Sequence, residues 1–175
     1  WSQDLWPESI SAAGGVNNKF VLKCVDALTR FIYGHSKVIL IQSRAFKSYI
    51  LAQGVNPQKL IYYPNSTEPY YQVLNKEAAY IARFAKGFNI VFAGNIGEAQ
   101  SFDTLLDAAC LLKKQNIPDN WNVLGNGRMK EYVRNKIVEL DLEANFFLLG
   151  SYPPTEMPFF FSCADALLVS LKKDK

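Results

Sequence analysis

Two glycine-containing turns carry the residue types and spacing best suited to chemistry, Gly94-Asn95-Ile96-Gly97 and Gly125-Asn126-Gly127. Each turn follows a short, nearly all-apolar run, the pattern of a strand buried on both faces. A helical period begins after the first turn, with Ser101 as the expected N-cap. A strand, a glycine turn and a helix N-terminus together offer backbone N–H groups and partial positive charge to a phosphate. Because many such turns in α/β domains bind nothing, the sequence leaves that alternative open.

The spacing of these glycines excludes several familiar phosphate-binding and hydrolytic motifs. The first turn lacks the Gly-x-Gly-x-x-Gly of dinucleotide-binding folds, and the strand before the second turn ends in apolar Leu124 instead of an acidic residue. The chain contains no Gly-Lys-Ser/Thr of a P-loop and no Gly-x-Ser-x-Gly of a serine hydrolase. Two separate glycine turns at one sheet edge instead favour a ligand with a spread-out phosphate and a sugar.

The composition is that of a globular protein, because 49% of the 175 residues are hydrophobic and 20% are charged. A net charge of +3 is too small to indicate nucleic acid as a partner, but it suits mild attraction to an anionic membrane or a phosphorylated ligand. The three cysteines, Cys24, Cys110 and Cys163, are predicted to be reduced core residues.

A single histidine, His35, excludes a His-rich zinc site, and no apolar run approaches the ~20 residues that span a bilayer. We therefore expect a cytoplasmic protein without a metal, with peripheral contact at the inner face of the membrane as an open alternative. The chain begins at Trp1 without a methionine and stops just after an apparent strand, so we also expect it to be a fragment.

Short apolar runs alternate with helical periods along the chain. Helical spacing is clear over residues 20–32 and from Ser101, and runs typical of strands occupy residues 37–42, 59–63, 89–93, 121–124, 146–149 and 166–169. Repeated βα units with short loops predict an α/β fold with doubly wound parallel sheets, whose ligands lie at the carboxyl ends of the strands. Both glycine turns occupy such ends.

Residues 62–86 interrupt this alternation. They contain Pro64, Pro69 and a helix-prone stretch over residues 75–86. We interpret the segment as a linker between two α/β units, with the boundary at residues 64–71. Four of its tyrosines are interpreted as packing around the linker: Tyr62, Tyr63, Tyr70 and Tyr71.

Several segments match one known family, in that family's order and across nearly the whole chain. They are Gln3-Asp4-Leu5-Trp6-Pro7-Glu8-Ser9, residues 43–54 with Tyr63-Pro64-Asn65, Phe92-Ala93-Gly94-Asn95-Ile96-Gly97, Val123-Leu124-Gly125-Asn126-Gly127 and Ala164-Asp165-Ala166-Leu167-Leu168-Val169-Ser170. On these segments the chain resembles glycosyltransferase family 4, which belongs to group 1 and has a GT-B fold. The closest branch is that of bacterial surface-polysaccharide aminosugar transferases of the fucosamine type.

The resemblance implies parts of two Rossmann-like domains. Residues 1–63 would be the C-terminal part of an acceptor-binding domain, residues 64–88 an interdomain linker and helix, and residues 89–175 a nucleotide-sugar-binding domain that is truncated at its C-terminus. The implied reaction moves a sugar, with retention at the anomeric carbon, from a nucleoside-diphosphate sugar to a glycan or lipid-linked acceptor. A UDP-sugar is the favoured donor, and the family needs no cofactor or obligatory metal.

The resemblance also assigns candidate site residues. Asp4 and Glu8 would act in catalysis by orienting the acceptor or contacting the donor sugar, with ordinary loop capping as the alternative. The candidates for donor binding are Gly94, Asn95, Ile96, Gly97, Gln100, Gly125, Asn126, Gly127, Arg128 and Ser170. Many family members have an arginine and a lysine at the places of Asn95 and Gln100, so charge stabilisation of the diphosphate is weaker here.

The family's acidic Glu-x7-Glu pair would lie beyond Lys175, so this chain is expected to be inactive alone. Two alternatives to the transferase stay open. One is a GT-B sugar-nucleotide epimerase, which would need more ionisable groups around its ligand. The other is a non-catalytic module that binds a nucleotide sugar. An acidic pair at the family spacing would favour the transferase over that module.

Overall fold

Parallel strands in two separate sheets organise the chain. The computed structural model describes residues 2–12 and 18–172. It divides into two units, Trp1–Thr67 and Glu68–Lys175. The division lies inside the segment that the sequence marks as a linker, and residues 68–88 belong to the second unit.

The first unit contains a small parallel sheet. Its elements are α1 (Glu8–Ala12), α2 (Lys19–His35), β1 (Ile39–Ile41), α3 (Phe46–Ala52) and β2 (Leu60–Tyr62), with a short 3-10 helix at Pro57–Lys59. β1 pairs with β2 so that Ile39 lies opposite Leu60, and Ser2 forms a parallel bridge to Ile41. The core of this unit is built from Tyr33, Ile39, Ile41 and Ile50.

The long helix α2 forms where the apolar spacing predicts it, but its apolar face is exposed. The Asn18 side chain caps it by accepting from the backbone N–H groups of Phe20 and Val21. The side chains that remain exposed are Phe20, Val21, Leu28, Phe31 and Ile32. Periodicity indicates an apolar face and not what covers it. A helix of 17 residues is about 25 Å long, whereas three-residue strands span about 10 Å, so this sheet covers only part of α2.

The second unit is a four-stranded parallel sheet with helices on both faces. Its elements are α4 (Ala78–Ile81), β3 (Asn89–Ala93), α5 (Phe102–Lys114), β4 (Asn120–Leu124), α6 (Lys130–Glu139), β5 (Phe146–Gly150), α7 (Met157–Cys163) and β6 (Ala166–Leu168), with 3-10 helices at Glu98–Gln100 and Pro154–Glu156. The strand order is β5-β4-β3-β6. The helix expected over residues 75–86 is shorter than predicted, since only α4 forms there.

Alternation along β3 and β4 divides the core of the second unit into two layers. Phe92 and Val123 pack with α5 and α6, whereas Val91 and Leu124 pack with Phe160 of α7. Helices therefore cover both faces of a parallel sheet, and the predicted doubly wound α/β fold is confirmed.

The three cysteines differ in their exposure. All three cysteines are free, with Cys163 buried and Cys110 partly buried. The prediction for Cys24 is wrong, because it lies on the uncovered part of α2 and is exposed. Among residues 2–12 and 18–172, no helix is long and apolar enough to span a membrane. No group of three or more His, Cys, Asp or Glu side chains in those ranges could hold a metal ion.

Candidate functional site

The two glycine turns lie side by side at the carboxyl edge of the second sheet and are hydrogen-bonded to each other. The N–H of Gly94 donates to the carbonyl oxygen of Leu124 at 2.9 Å, and the N–H of Ile96 donates to that of Asn126 at 2.8 Å. The N–H of Gly125 donates to the carbonyl of Gly150 at 2.8 Å. The parallel ladder therefore continues past the strands into the turns. These three amides stabilise the turns and cannot also bind a phosphate.

Glycine is required in the second turn because the first turn approaches it so closely. Gly125 has φ +152°, and a Cβ atom there would lie 1.8 Å from the carbonyl oxygen of Gly94. A Cβ atom on Gly127 would lie 2.3 Å from the carbonyl oxygen of Ile96. Any side chain at either position would push the two turns apart.

Ile96 and Asn95 have different surroundings within the first turn. Ile96 is fully buried in the core, and its carbonyl oxygen accepts from the N–H of Met129 at 3.0 Å. Ile96 therefore shapes the turn and presents no group to a ligand. Asn95 is exposed, and its side-chain amide lies where Cβ atoms on Gly97 and Gly127 would be, 2.5 and 2.6 Å from those positions.

The N-cap of α5 lacks the side-chain hydrogen bond that a serine usually makes there. Ser101 occupies the N-cap position, but it has φ 49° and ψ 54° and makes no side-chain cap. Its hydroxyl instead pairs with that of Thr104 at 2.9 Å. The reason is that the 3-10 helix at Glu98–Gln100 leads directly into α5, so the chain reverses at Ser101 in the left-handed region. The predicted N-cap position of Ser101 is confirmed, but its side chain makes no capping hydrogen bond.

An acidic side chain also occupies the first turn of α5. The Asp103 carboxylate accepts a hydrogen bond of 2.7 Å from the hydroxyl of Tyr132 on α6. That bond is the main cause of a raised pKa for Tyr132. A negative charge here already complements the helix dipole, so the N-terminus of α5 is a poorer anion site than a helix N-terminus without an acidic residue.

The segment after β6 joins this edge of the sheet. The Ser170 hydroxyl donates to the carbonyl oxygen of Gln100 at 2.6 Å, and the N–H of Lys172 donates to that of Ala99 at 2.7 Å. When the Gln100 amide is oriented to satisfy its neighbours, its nitrogen donates to the carbonyl oxygens of Asn95 and Gly97 at 3.3 Å. Gln100 and Ser170, which are 70 positions apart, are thus brought together beside the first turn.

A cavity of about 460 Å³ opens at the same edge. It is lined by Tyr71, Ala93, Gly94, Asn95, Leu124, Gly125, Asn126, Ser151, Tyr152, Pro154, Met157 and Phe161. Four of the predicted donor-binding residues therefore share one cavity: Gly94, Asn95, Gly125 and Asn126. The other six predicted positions, Ile96, Gly97, Gln100, Gly127, Arg128 and Ser170, do not line it.

Three aromatic side chains line one side of this cavity, Tyr71, Tyr152 and Phe161, and together they are called the aromatic wall. This wall was not predicted from the sequence. The ring of Tyr152, in the loop after β5, packs against Phe160 with ring centroids 4.5 Å apart. The guanidinium of Arg83 lies 5.2 Å from the centre of the Tyr152 ring and 5.6 Å from that of Phe160. The ring of Tyr71 stacks on Phe161 at 6.2 Å with 20° between the planes. The only available signal was the density of tyrosines around residue 70, which we interpreted as linker packing.

Asp4 and Glu8 belong to the first unit. Asp4 is exposed and lines a cavity of about 290 Å³ together with Trp6 and Tyr33. Glu8 begins α1, and its carboxylate accepts a hydrogen bond from the hydroxyl of Tyr49. Burial, followed by that hydrogen bond, raises the pKa of Tyr49. Glu8 therefore has a local structural partner, whereas Asp4 is an exposed residue that lines a cavity.

Comparison with known proteins identifies the family. The model of the family Glycosyl transferases group 1 matches residues 76–174, more than half of the chain. The chain belongs to this family. A curated relative, the probable glycosyltransferase WbjE of Pseudomonas aeruginosa, is 23% identical over 175 residues. That alignment covers 97% of this chain and 43% of WbjE, so the chain spans less than half the length of this relative.

Solved structures of glycosyltransferases share the fold, which is of the GT-B type. HepE from Anabaena, in complex with UDP and glucose, matches with a TM-score of 0.67 and 14% identity over 83% of this chain and 40% of HepE. A TarM variant from S. aureus, in complex with fondaparinux, α-GlcNAc-glycerol and UDP, matches with a TM-score of 0.60 and 18% identity. That match covers 88% of this chain and 28% of TarM. The predicted fold class, parts of two Rossmann-like domains of the GT-B type, is confirmed.

Proposed function

We propose that the protein containing this chain is a retaining glycosyltransferase that uses a nucleoside-diphosphate sugar, with UDP as the favoured nucleotide. The proposed acceptor is a glycan or a lipid-linked glycan in surface-polysaccharide synthesis, as in the aminosugar transferases that the sequence resembles. The observation that carries the proposal is the cavity between the two glycine turns and the aromatic wall, in a chain of this family. HepE and TarM, which share the fold, are both solved with UDP.

The cavity suits a nucleotide in size and chemistry. Its volume of about 460 Å³ is within the range of small-molecule sites. Successive amides of an extended chain point in opposite directions, so the N–H of Asn95 points away from the second turn, to which Gly94 and Ile96 donate. We propose that this N–H, the Asn95 side chain and Asn126 bind the diphosphate. The aromatic wall would then pack against the base. No cofactor or metal is part of the proposal.

The charge of the lining favours the transferase over an epimerase. None of the cavity-lining residues that the structure describes is ionisable except the two tyrosines. An epimerase must move protons on the sugar, which requires acid and base groups next to it. A binding module without catalysis fits the lining equally well. The transferase and the binding module differ in one measurable property: the full-length transferase transfers sugar, whereas the module only binds the nucleotide.

Asp4 and Glu8 remain proposed catalytic residues of the acceptor-binding unit. Asp4 is the stronger candidate, because it lines a cavity while the Glu8 carboxylate is held by Tyr49. Replacing Asp4 with Asn should then lower kcat of the full-length protein more than replacing Glu8 with Gln does.

The proposed donor implies a cytoplasmic location. Contact with the inner face of the membrane, for which a net charge of +3 would provide mild attraction, is also proposed.

The decisive experiment is calorimetric titration of the full-length protein with UDP and GDP, followed by an assay of sugar transfer from the matching nucleotide sugar. We expect UDP to bind and Gly125→Val to weaken its binding at least tenfold, because the new side chain separates the turns. Gly34→Ala is the control, because a Cβ atom there has nothing within 4 Å. If neither nucleotide binds to the full-length protein, the proposed function is wrong. The anomeric configuration of the product, determined by NMR, tests retention.

A further inference from the structure

One wall of the cavity comes from a residue outside the segment that matches the family. Tyr71 lies in the predicted linker and precedes the matched residues 76–174. It nevertheless belongs to the second unit, which begins at Glu68, and it lines the cavity with both glycine turns. The family match and the sequence resemblance assign it no function.

The Tyr71 ring is held in place and still partly open. Its backbone N–H donates to the carbonyl oxygen of Glu68 at 3.0 Å, which closes a turn. One neighbour is Phe161 on α7, stacked with 20° between the ring planes, and another is Tyr70, with ring centroids 4.9 Å apart. The side chain remains 37% exposed. A fixed aromatic ring that is open to a cavity loses little conformational freedom when a planar ligand stacks on it.

We propose that Tyr71 is a nucleotide-binding residue whose ring stacks on the base of the donor. This inference depends on the proposed function, and it adds a contact to the same site. The glycine turns and Asn95 provide only backbone and amide groups, which suit the diphosphate. The aromatic side chains of Tyr71, Tyr152 and Phe161 line the same cavity and suit the flat face of a base.

Stacking and hydrogen bonding by Tyr71 make different predictions. Every base has a π-face, so a stacking ring strengthens binding of UDP and GDP alike and does not choose between them. It also needs no hydroxyl. Tyr71→Phe should therefore bind UDP as the unchanged protein does, whereas Tyr71→Ala should bind UDP roughly 5- to 100-fold more weakly, the range for loss of one base–aromatic stack.

The experiment is calorimetry on the full-length protein with UDP, UDP-glucose and inorganic pyrophosphate, which has no base. We expect Tyr71→Ala to weaken the binding of UDP and of UDP-glucose by the same factor and to leave the binding of pyrophosphate unchanged. Phe88→Ala is the matched control. It removes a ring that is 51% exposed and precedes β3, at the opposite edge of the sheet, so UDP binding should not change.

Three results would overturn the inference while leaving the proposed function intact. The first is that Tyr71→Ala binds UDP as tightly as the unchanged protein does. The second is that its affinity for pyrophosphate falls as much as its affinity for UDP. The third is that its affinity for UDP-glucose falls more than its affinity for UDP. The last result would place the sugar and not the base on Tyr71. If the unchanged protein binds no nucleotide, the proposed function fails and the inference fails with it. Circular dichroism spectra of each variant show whether an altered affinity reflects altered folding.

Discussion

Single buried polar residues hold together the amino ends of the strands, at the edge opposite the cavity. Asn122 on β4 is only 1% exposed, and its side-chain nitrogen donates to Oδ1 of Asn89 on β3 at 3.0 Å. Asn89 in turn donates to the carbonyl oxygens of Ala85 and Gly87 at 3.1 and 2.9 Å. The backbone N–H of Asn89 donates to the Asp165 carboxylate at 2.8 Å. These bonds fix where β3 begins, and so the position at which its carboxyl end enters the first glycine turn.

We predict that Asn122→Ala lowers the free energy of unfolding by about 1–3 kcal/mol, because Asn89 Oδ1 is then buried without a donor. Asn89→Ala should cost a similar amount. The double variant should cost less than the sum of the two, since each single change already breaks the shared bond. Urea denaturation of the four proteins measures this coupling. Strict additivity would show that the bond between Asn89 and Asn122 contributes nothing.

At the scale of elements, α4 and α7 cooperate in supporting the aromatic wall. Phe160 of α7 is fully buried, and its ring lies edge-on to Tyr80 and Phe84 at centroid distances of 5.1 and 6.0 Å. Tyr152 packs on the same ring. The short helix α4 therefore anchors α7, and α7 anchors the loop that follows β5.

We predict that Phe160→Ala destabilises the protein by about 3–5 kcal/mol, the usual cost of removing a buried phenylalanine ring. It should also weaken UDP binding, because Tyr152 loses the ring on which it packs. Phe159→Ala is a suitable comparison, since Phe159 is only partly buried and stacks on Tyr80 at 5.0 Å. Thermal unfolding and calorimetry measure the two effects. Equal losses of stability and of UDP affinity in the two variants would show that burial of Phe160 is not what supports the aromatic wall.

Local sequence patterns predicted most of the elements and part of the candidate site. The apolar runs of β3 and β4 and the helical period of α5 depend on neighbouring residues alone, and each element forms within one residue of its predicted start. The pairing of the two turns could not be predicted in this way, because the bonds from Gly94 to Leu124 and from Ile96 to Asn126 join residues 30 apart in the sequence. The aromatic wall was missed for the same reason. The left-handed turn at Ser101 was missed because serine is a common ordinary N-cap.

At the scale of the whole molecule, the buried clusters found within residues 2–12 and 18–172 each belong to one of the two units. Tyr33, Ile39, Ile41 and Ile50 form the core of the first unit, and the buried clusters of the second unit lie entirely within residues 80–168. The described residues that line the cavity beside the glycine turns all belong to the second unit. Stability and ligand binding can therefore be changed in one unit at a time.

We predict that Ile50→Ala speeds amide hydrogen exchange only in the first unit and that Val133→Ala speeds it only in the second. Both side chains are fully buried, so each change should cost its own unit about 1–5 kcal/mol. UDP should slow exchange around residues 93–97 and 124–127 in the unchanged protein and in Ile50→Ala alike. Mass spectrometry of peptic fragments resolves the two units. Faster exchange in both units from either substitution would contradict this division.

The ladder that joins the glycine turns limits how the nucleotide preference of such an enzyme could be redesigned. The amides of Gly94, Ile96 and Gly125 are already bonded, and Gly125 and Gly127 leave no room for a Cβ atom, so a mutant library directed at Gly125 or Gly127 should yield mostly misfolded proteins. Tyr71, Ser151 and Met157 line the same cavity without taking part in that ladder. Variation directed at these three positions can alter the wall proposed to hold the base while leaving the backbone of the two glycine turns unchanged.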